Sequence, residues 1–198
     1  MPENLTHFEF DITRSEREKL NGHKSITIWI TGLSGAGKST IANRLESKLF
    51  KAGIKTMLLD GDNIRSGLNS DLGFSTTDRE ENIRRIGETA KLLMDSGSVV
   101  IASFISPLIE NRTTIKDIVG EENFVEIYVN TPLDSCIKRD NKGLYAKAIL
   151  GDIDDFTGIS APYQPPSNSD FEISFESSDY EEKLKAIISK IKTSISYK

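Results

Sequence analysis

The sequence is poor in cysteine, in basic charge and in long apolar runs, and each shortage removes a class of protein. Its one cysteine, Cys136, rules out an internal disulfide framework and fits a reducing compartment. Lys and Arg number 25 against 30 Asp and Glu, a formal net charge of -5. That balance argues against nucleic-acid and membrane-surface partners, which want a basic face. No segment reaches the roughly 18 consecutive apolar residues of a membrane span. The opening MPENLTHFEFDITRSEREKLNGHK is mixed and charged, without the apolar centre of a signal peptide, so the cytoplasm is the expected location. What remains is an ordinary globular composition, 37% hydrophobic and 28% charged, in 198 residues. That length suits one well-buried α/β domain.

Along the chain, β-branched runs alternate with helical periodicity. Residues 25–31 (SITIWIT) predict a strand that ends at a glycine-rich loop, followed by a helix over Lys38–Phe50 closed by Gly53. Residues 55–60 predict a second, buried strand. Residues 77–96 carry a clear apolar stripe (Ile83, Ile86, Ala90, Leu93, Met94), with Thr77 and Glu80 at capping-box spacing. The continuous apolar run 98–104 reads as a central parallel strand. A helix over 108–119, a strand over 124–130 and a helix opened by Pro132 and running to about Arg139 follow. Residues 141–166, broken by glycines and prolines, predict a weakly structured lid. A strand over 171–175 and a helix over 179–193 complete the pattern. The expected fold is α/β: a P-loop NTPase-type three-layer sandwich, a parallel sheet with helices on both faces plus a lid. Residues 1–24 form an N-terminal arm with one short helix, and 25–198 form the P-loop domain.

The loop Gly32, Leu33, Ser34, Gly35, Ala36, Gly37, Lys38, Ser39, Thr40 matches G-x-x-x-x-G-K-[ST]. Its glycines let successive N–H groups face phosphate oxygens, and the helix starting at Lys38 adds its positive end. Lys38 reaches the outer phosphates and Ser39 offers a hydroxyl to Mg²⁺. Asp60-Gly61-Asp62-Asn63 falls at the end of the second strand. Alone it reads as a plain Asp-Gly turn, whereas beside a phosphate loop it reads as a metal-side and hydroxyl-polarising pair. The strand over 98–104 ends without an acidic residue, and Asn141-Lys142-Gly143-Leu144 lacks the aspartate of a guanine-reading motif. A switch GTPase and a motor ATPase are therefore disfavoured, and a small-molecule kinase fits. Arg65, Arg79 with Asn82, Arg139 and Lys142 flank the predicted ligand loops and suggest a second anionic substrate. Phe74 and Phe156 lie in loops, where each either stacks on a planar base or folds onto the core. Cys136, on a helix, reads as a buried structural residue.

These segments together resemble the adenylyl-sulfate kinase (APS kinase) family: GLSGAGKST, LDGDNIRSGLNSDLGFSTTDREENIRRIGETAKL, FISP and KRDNKGLYAKAILGDIDDFTGISAPY, with TRSEREKLNGHK as lead-in. The resemblance implies transfer of the ATP γ-phosphate to the 3′-hydroxyl of adenylyl sulfate, giving ADP and 3′-phosphoadenylyl sulfate (PAPS) in sulfate assimilation. It implies that residues 32–40 hold the ATP phosphates and that Arg139 packs on the ATP adenine. Mg²⁺ then falls to Ser39, Asp60 and Asp62, with Asp62 orienting the acceptor hydroxyl. It further assigns Arg65, Phe74, Arg79, Asn82, Phe104, Ile105, Ser106, Lys142, Leu144, Phe156, Gly158 and Ile159 to adenylyl sulfate, the two phenylalanines as an adenine sandwich. Ser106 is also the family's phosphoserine-intermediate position. A serine nucleophile needs a base, however, and the only histidines, His7 and His23, lie in the arm, so direct in-line transfer is the physical expectation. A homodimer is implied, and the chain has no room for a second catalytic domain, so an ATP sulfurylase coupled to it would be a separate polypeptide. The competing readings are a P-loop kinase with another small acceptor and a nucleotide-binding module without activity.

Overall fold

A computed structural model describes Thr6, Phe8 and residues 10–197. His7 lies outside the described residues. Strands β1 (Thr27–Thr31), β2 (Thr56–Asp60), β3 (Val99–Ser103), β4 (Phe124–Val129) and β5 (Phe171–Ile173) form one parallel sheet in the order β2-β3-β1-β4-β5. Eight α-helices accompany them among the described residues: α1 (Arg14–Asn21), α2 (Lys38–Phe50), α3 (Gly61–Arg65), α4 (Thr76–Asp95), α5 (Ile109–Val119), α6 (Leu133–Arg139), α7 (Leu144–Leu150) and α8 (Tyr180–Ile195).

Alternation along each strand splits the core into two layers. Ile28, Ile30, Ile101 and Ile127 face α2 and α8, while Trp29, Val100 and Ala102 face α4 and α5. β1 and β3 are buried at every position because both faces are covered, which is why they read as unbroken apolar runs. Parallel register lines up the carboxyl ends: Thr31 pairs with Tyr128 and Asp60 with Ser103. The loops that follow β1, β2 and β3 therefore open at one edge, where ligands of such sheets bind.

Five local readings are revised. β2 is an edge strand with Met57 46% exposed, not a fully buried one, although Leu58 and Leu59 pack into the two opposite core layers. α4 is capped by Ser75, whose hydroxyl accepts the Asp78 N–H at 3.2 Å, so Thr77 already lies inside the helix. The Asp-Gly pair does not close a simple turn: the Asp60 side chain accepts the Asp62 N–H at 3.2 Å and starts α3. The lid is more ordered than its glycines suggest, since Gly143 and Gly151 bracket α7 instead of breaking it. Pro132 sits one residue before α6 rather than in its first turn.

Ahead of β1, a capping box joins Thr13 and Glu16 at the start of α1. Arg14 then reaches the Ser25 hydroxyl at 2.8 Å and Asn123 at 2.9 Å, docking α1 on the opposite end of the sheet from the phosphate loop. Among the described residues, no helix is long and apolar enough to cross a membrane.

Candidate active site

The phosphate loop is shaped from behind. At Gly32 the chain passes so close to β4 that a Cβ would sit 2.7 Å from the Val129 carbonyl, at φ 150°. Gly37, at φ 103°, lies under the Phe175 ring, with which any side chain would collide. Three loop carbonyls are held by donors on the protein side. Leu33 O accepts from Lys38 Nζ (2.8 Å), Ser34 O from the Tyr145 hydroxyl (2.9 Å) and Ala36 O from the Thr131 hydroxyl (2.9 Å). The N–H groups of Ser34, Gly35 and Gly37 donate to nothing among the described residues. With the start of α2, they are unpaired donors that could meet phosphate oxygens. Lys38 is buried, and that burial pushes its ammonium down to about 8, against the pull of Asp60 and Asp62. Thr40 is exposed on the first turn of α2.

Ser39, one residue on, donates to Asp60 Oδ2 at 2.6 Å and lies 3.5 Å from the Ser103 hydroxyl. This explains how the site manages without an acidic residue on β3: Asp60, level with Ser103 on the neighbouring strand, supplies the carboxylate. Asp62, on α3, is exposed and ion-paired with Lys142 from the lid. Ser39, Asp60, Asp62 and Lys142 are thus brought together.

Among the residues expected to meet the acceptor, Arg65 lies over the Phe74 ring at 4.6 Å and donates to Gly73 O at 2.8 Å; burial, then the nearby Arg79, lowers its pKa. Arg79 bonds Phe74 O and Asp155 O, each at 2.8 Å, so one guanidinium holds the two backbones that carry Phe74 and Phe156. The two aromatics differ in seating. Phe74 is 67% exposed, whereas Phe156 packs edge-on to Tyr145 with ring centroids 5.0 Å apart. Asn82 is buried and accepts from the Asn69 amide at 3.0 Å. Phe104 turns into the core and stacks on Trp29 at 5.3 Å, so it forms the floor beneath Gly61 rather than an open wall. Ile105, Leu144, Gly158 and Ile159 are half-buried around the lid. A cleft of ≈ 530 Å³ opens between Leu33, Tyr128, Leu133, Ile159 and Tyr163. It touches the loop and the lid but neither Asp60 nor Asp62, so the donor set places the chemistry better than the cleft does. Arg139, the last residue of α6, pairs with Glu176 at 3.3 Å.

Ser106 sits at φ 36° with its hydroxyl buried and engaged: it accepts from Trp29 Nε1 and donates to Thr31 Oγ1, both at 3.0 Å. Among the described residues, no histidine or carboxylate bonds it. Its carbonyl accepts from Arg112, which also donates to Gln164 O, each at 2.8 Å. Cys136 is fully buried beneath the loop, and burial raises its thiol pKa.

Sequence reasoning missed Tyr145, Arg112, Gln164 and Asn69. Each acts through a contact to a segment distant in sequence, and only Tyr145 left a trace, as the aromatic following the basic entry to the lid.

The family model for Adenylylsulphate kinase matches residues 24–174. An adenylyl-sulfate kinase of Prochlorococcus marinus is 52% identical over 188 residues, 95% of this chain and 94% of that one. One from Thermodesulfovibrio yellowstonii is 54% identical over 170 residues, covering 86% and 85%. The solved APS kinase of Mycobacterium tuberculosis, in complex with AMPPNP and APS, is 46% identical with a TM-score of 0.80, over 85% of this chain and 98% of that one.

Proposed function

The chain belongs to the adenylylsulphate kinase family, and on that premise we propose how its residues carry the γ-phosphate of ATP to the 3′-hydroxyl of adenylyl sulfate, releasing ADP and PAPS. One observation carries the mechanism: Asp62 stands at the mouth of the phosphate loop, between Ser39–Asp60 and the lid lysine Lys142.

In this reading the free N–H groups of residues 32–40 and Lys38 grip the β- and γ-phosphates. The Asp62 carboxylate accepts the 3′-hydroxyl hydrogen and aims its oxygen in line with the γ-phosphorus. Arg65, Arg79, Asn82 and Lys142 receive the adenylyl sulfate anion, with its adenine between Phe74 and Phe156. Ile105, Leu144, Gly158 and Ile159 wall the pocket, and Arg139 serves the ATP adenine. Ser106 shapes the pocket through its backbone, and transfer is direct. Lid closure excludes water, which suppresses wasteful hydrolysis.

The site suits Mg²⁺. The Ser39 hydroxyl and the Asp60 and Asp62 carboxylates are hard oxygen donors, and among the described residues no cluster of three His, Cys, Asp or Glu forms an all-protein cage. That is the partial set Mg²⁺ completes with phosphate oxygens and water. When bound, it neutralises charge on the transferring phosphoryl group.

The same premise extends to a homodimer working in the cytoplasm, functionally coupled to a separate ATP sulfurylase. The exposed Phe8–Phe10 ring pair makes the arm a candidate contact between copies.

A coupled assay of ADP release, with and without adenylyl sulfate, tests the reading. Acceptor-dependent ADP is expected, and ADP no higher than the acceptor-free background would instead favour a P-loop kinase with another acceptor.

A further inference from the structure

We propose that Tyr145 is a positioning residue that sets the phosphate loop and the seat of Phe156 together, so that the ATP and adenylyl sulfate sites rest on one side chain. The proposal rests on the substrate assignment above. Tyr145 is 1% exposed, yet it belongs to α7, a seven-residue helix inside the lid. Its hydroxyl donates to the Ser34 carbonyl at 2.9 Å, and its ring meets Phe156 edge-on, centroids 5.0 Å apart at 78°. A Cβ on Gly35 would come within 3.9 Å of the same ring, so the ring also underlies the loop itself. The residue is fixed at its base, because the Asp140 carboxylate accepts the N–H groups of Tyr145 at 3.0 Å and Ala146 at 2.9 Å.

The two contacts do different work. A peptide unit presents its N–H and C=O in opposite directions, so a donor that holds Ser34 O on the protein side leaves the following N–H, that of Gly35, turned toward the phosphates. A carbonyl facing a phosphate would repel it. The ring contact fixes the plane of Phe156, and a stacking partner whose plane is preset loses less freedom when a base docks. Thr131 holds Ala36 O by its hydroxyl, and among the described residues no hydrogen bond joins it to Phe156.

Two substitutions in the full chain separate these functions. Tyr145→Phe removes the hydroxyl and keeps the ring. It should raise the ATP KM, and the dissociation constant of a fluorescent ATP analogue, roughly three- to tenfold, the effect of one buried hydrogen bond. The adenylyl sulfate KM should stay within about twofold. Tyr145→Leu removes both contacts and should raise both KM values. A general loss of structure would move both KM values in Tyr145→Phe as well, together with the melting temperature. An unchanged ATP KM in Tyr145→Phe, or equal rises for both substrates, overturns the proposal. Wild-type chain in the same assay keeps the two ideas apart. Failure of adenylyl sulfate to stimulate ADP release refutes the substrate assignment, whereas analogue binding to Tyr145→Phe still decides the loop contact.

Discussion

Asp62 and Ser106 are the carboxylate and the hydroxyl proposed for the transfer site, but their surroundings give them opposite prospects. Asp62 is exposed, and its one ion pair among the described residues is with the lid ammonium. Asp62→Ala should lower turnover by roughly 10²–10⁴, the range for a lost proton acceptor, while ATP affinity in a binding titration changes little. Equal loss of both would remove the orienting role. The Ser106 hydroxyl is already committed to Trp29 and Thr31. Ser106→Ala should therefore keep most of its turnover at saturating substrates, with a lower melting temperature because the indole N–H loses its acceptor. Loss of nearly all turnover would restore the covalent intermediate. Lys38 gives a pH signature. Its folded pKa of about 8 lies below the ordinary 10.5, so between these values the free chain holds it neutral. Nucleotide binding there must take up a proton, and affinity falls as pH rises through that window. Calorimetry in two buffers of different ionisation enthalpy reads the uptake; none in that window would contradict it. Most of these residues were legible because the loop is contiguous and its chemistry is local. Asn69 and Tyr145 were not, since nothing near them in sequence says that they will face Asn82 and Ser34.

At the scale of elements, the chain's alternation gave the strands and long helices almost to the residue, because burial on both faces writes itself as apolar runs. Short pieces escaped. α3 and α7 are five and seven residues long, too brief for periodicity, and are specified by the side chains of Asp60 and Asp140. The cap of α4 was misplaced by two residues because Ser75, Thr76 and Thr77 all have the right chemistry and only the backbone at Ser75 is extended. This cap bears on the site, since α4 carries Arg79 and Asn82 within its first two turns. Ser75→Ala should cost about 1 kcal/mol of stability in denaturant unfolding and raise the adenylyl sulfate KM more than the ATP KM. A stability loss with both KM values unmoved would separate the cap from the acceptor site.

For the molecule as a whole, the two substrates are assigned to the two flanks of one sheet edge. In the proposed reading ATP lies over the β1 loop, and adenylyl sulfate over the loops after β2 and β3. The lid crosses both, through Lys142 to Asp62, Arg79 to Asp155 and Tyr145 to Ser34. The most direct test incubates the chain with ATP, Mg²⁺ and adenylyl sulfate and locates the new phosphate by ³¹P NMR. The account predicts a phosphomonoester on the ribose 3′-oxygen, formed in step with ADP. Phosphate appearing only as inorganic phosphate, or on any other atom of the acceptor, would contradict it.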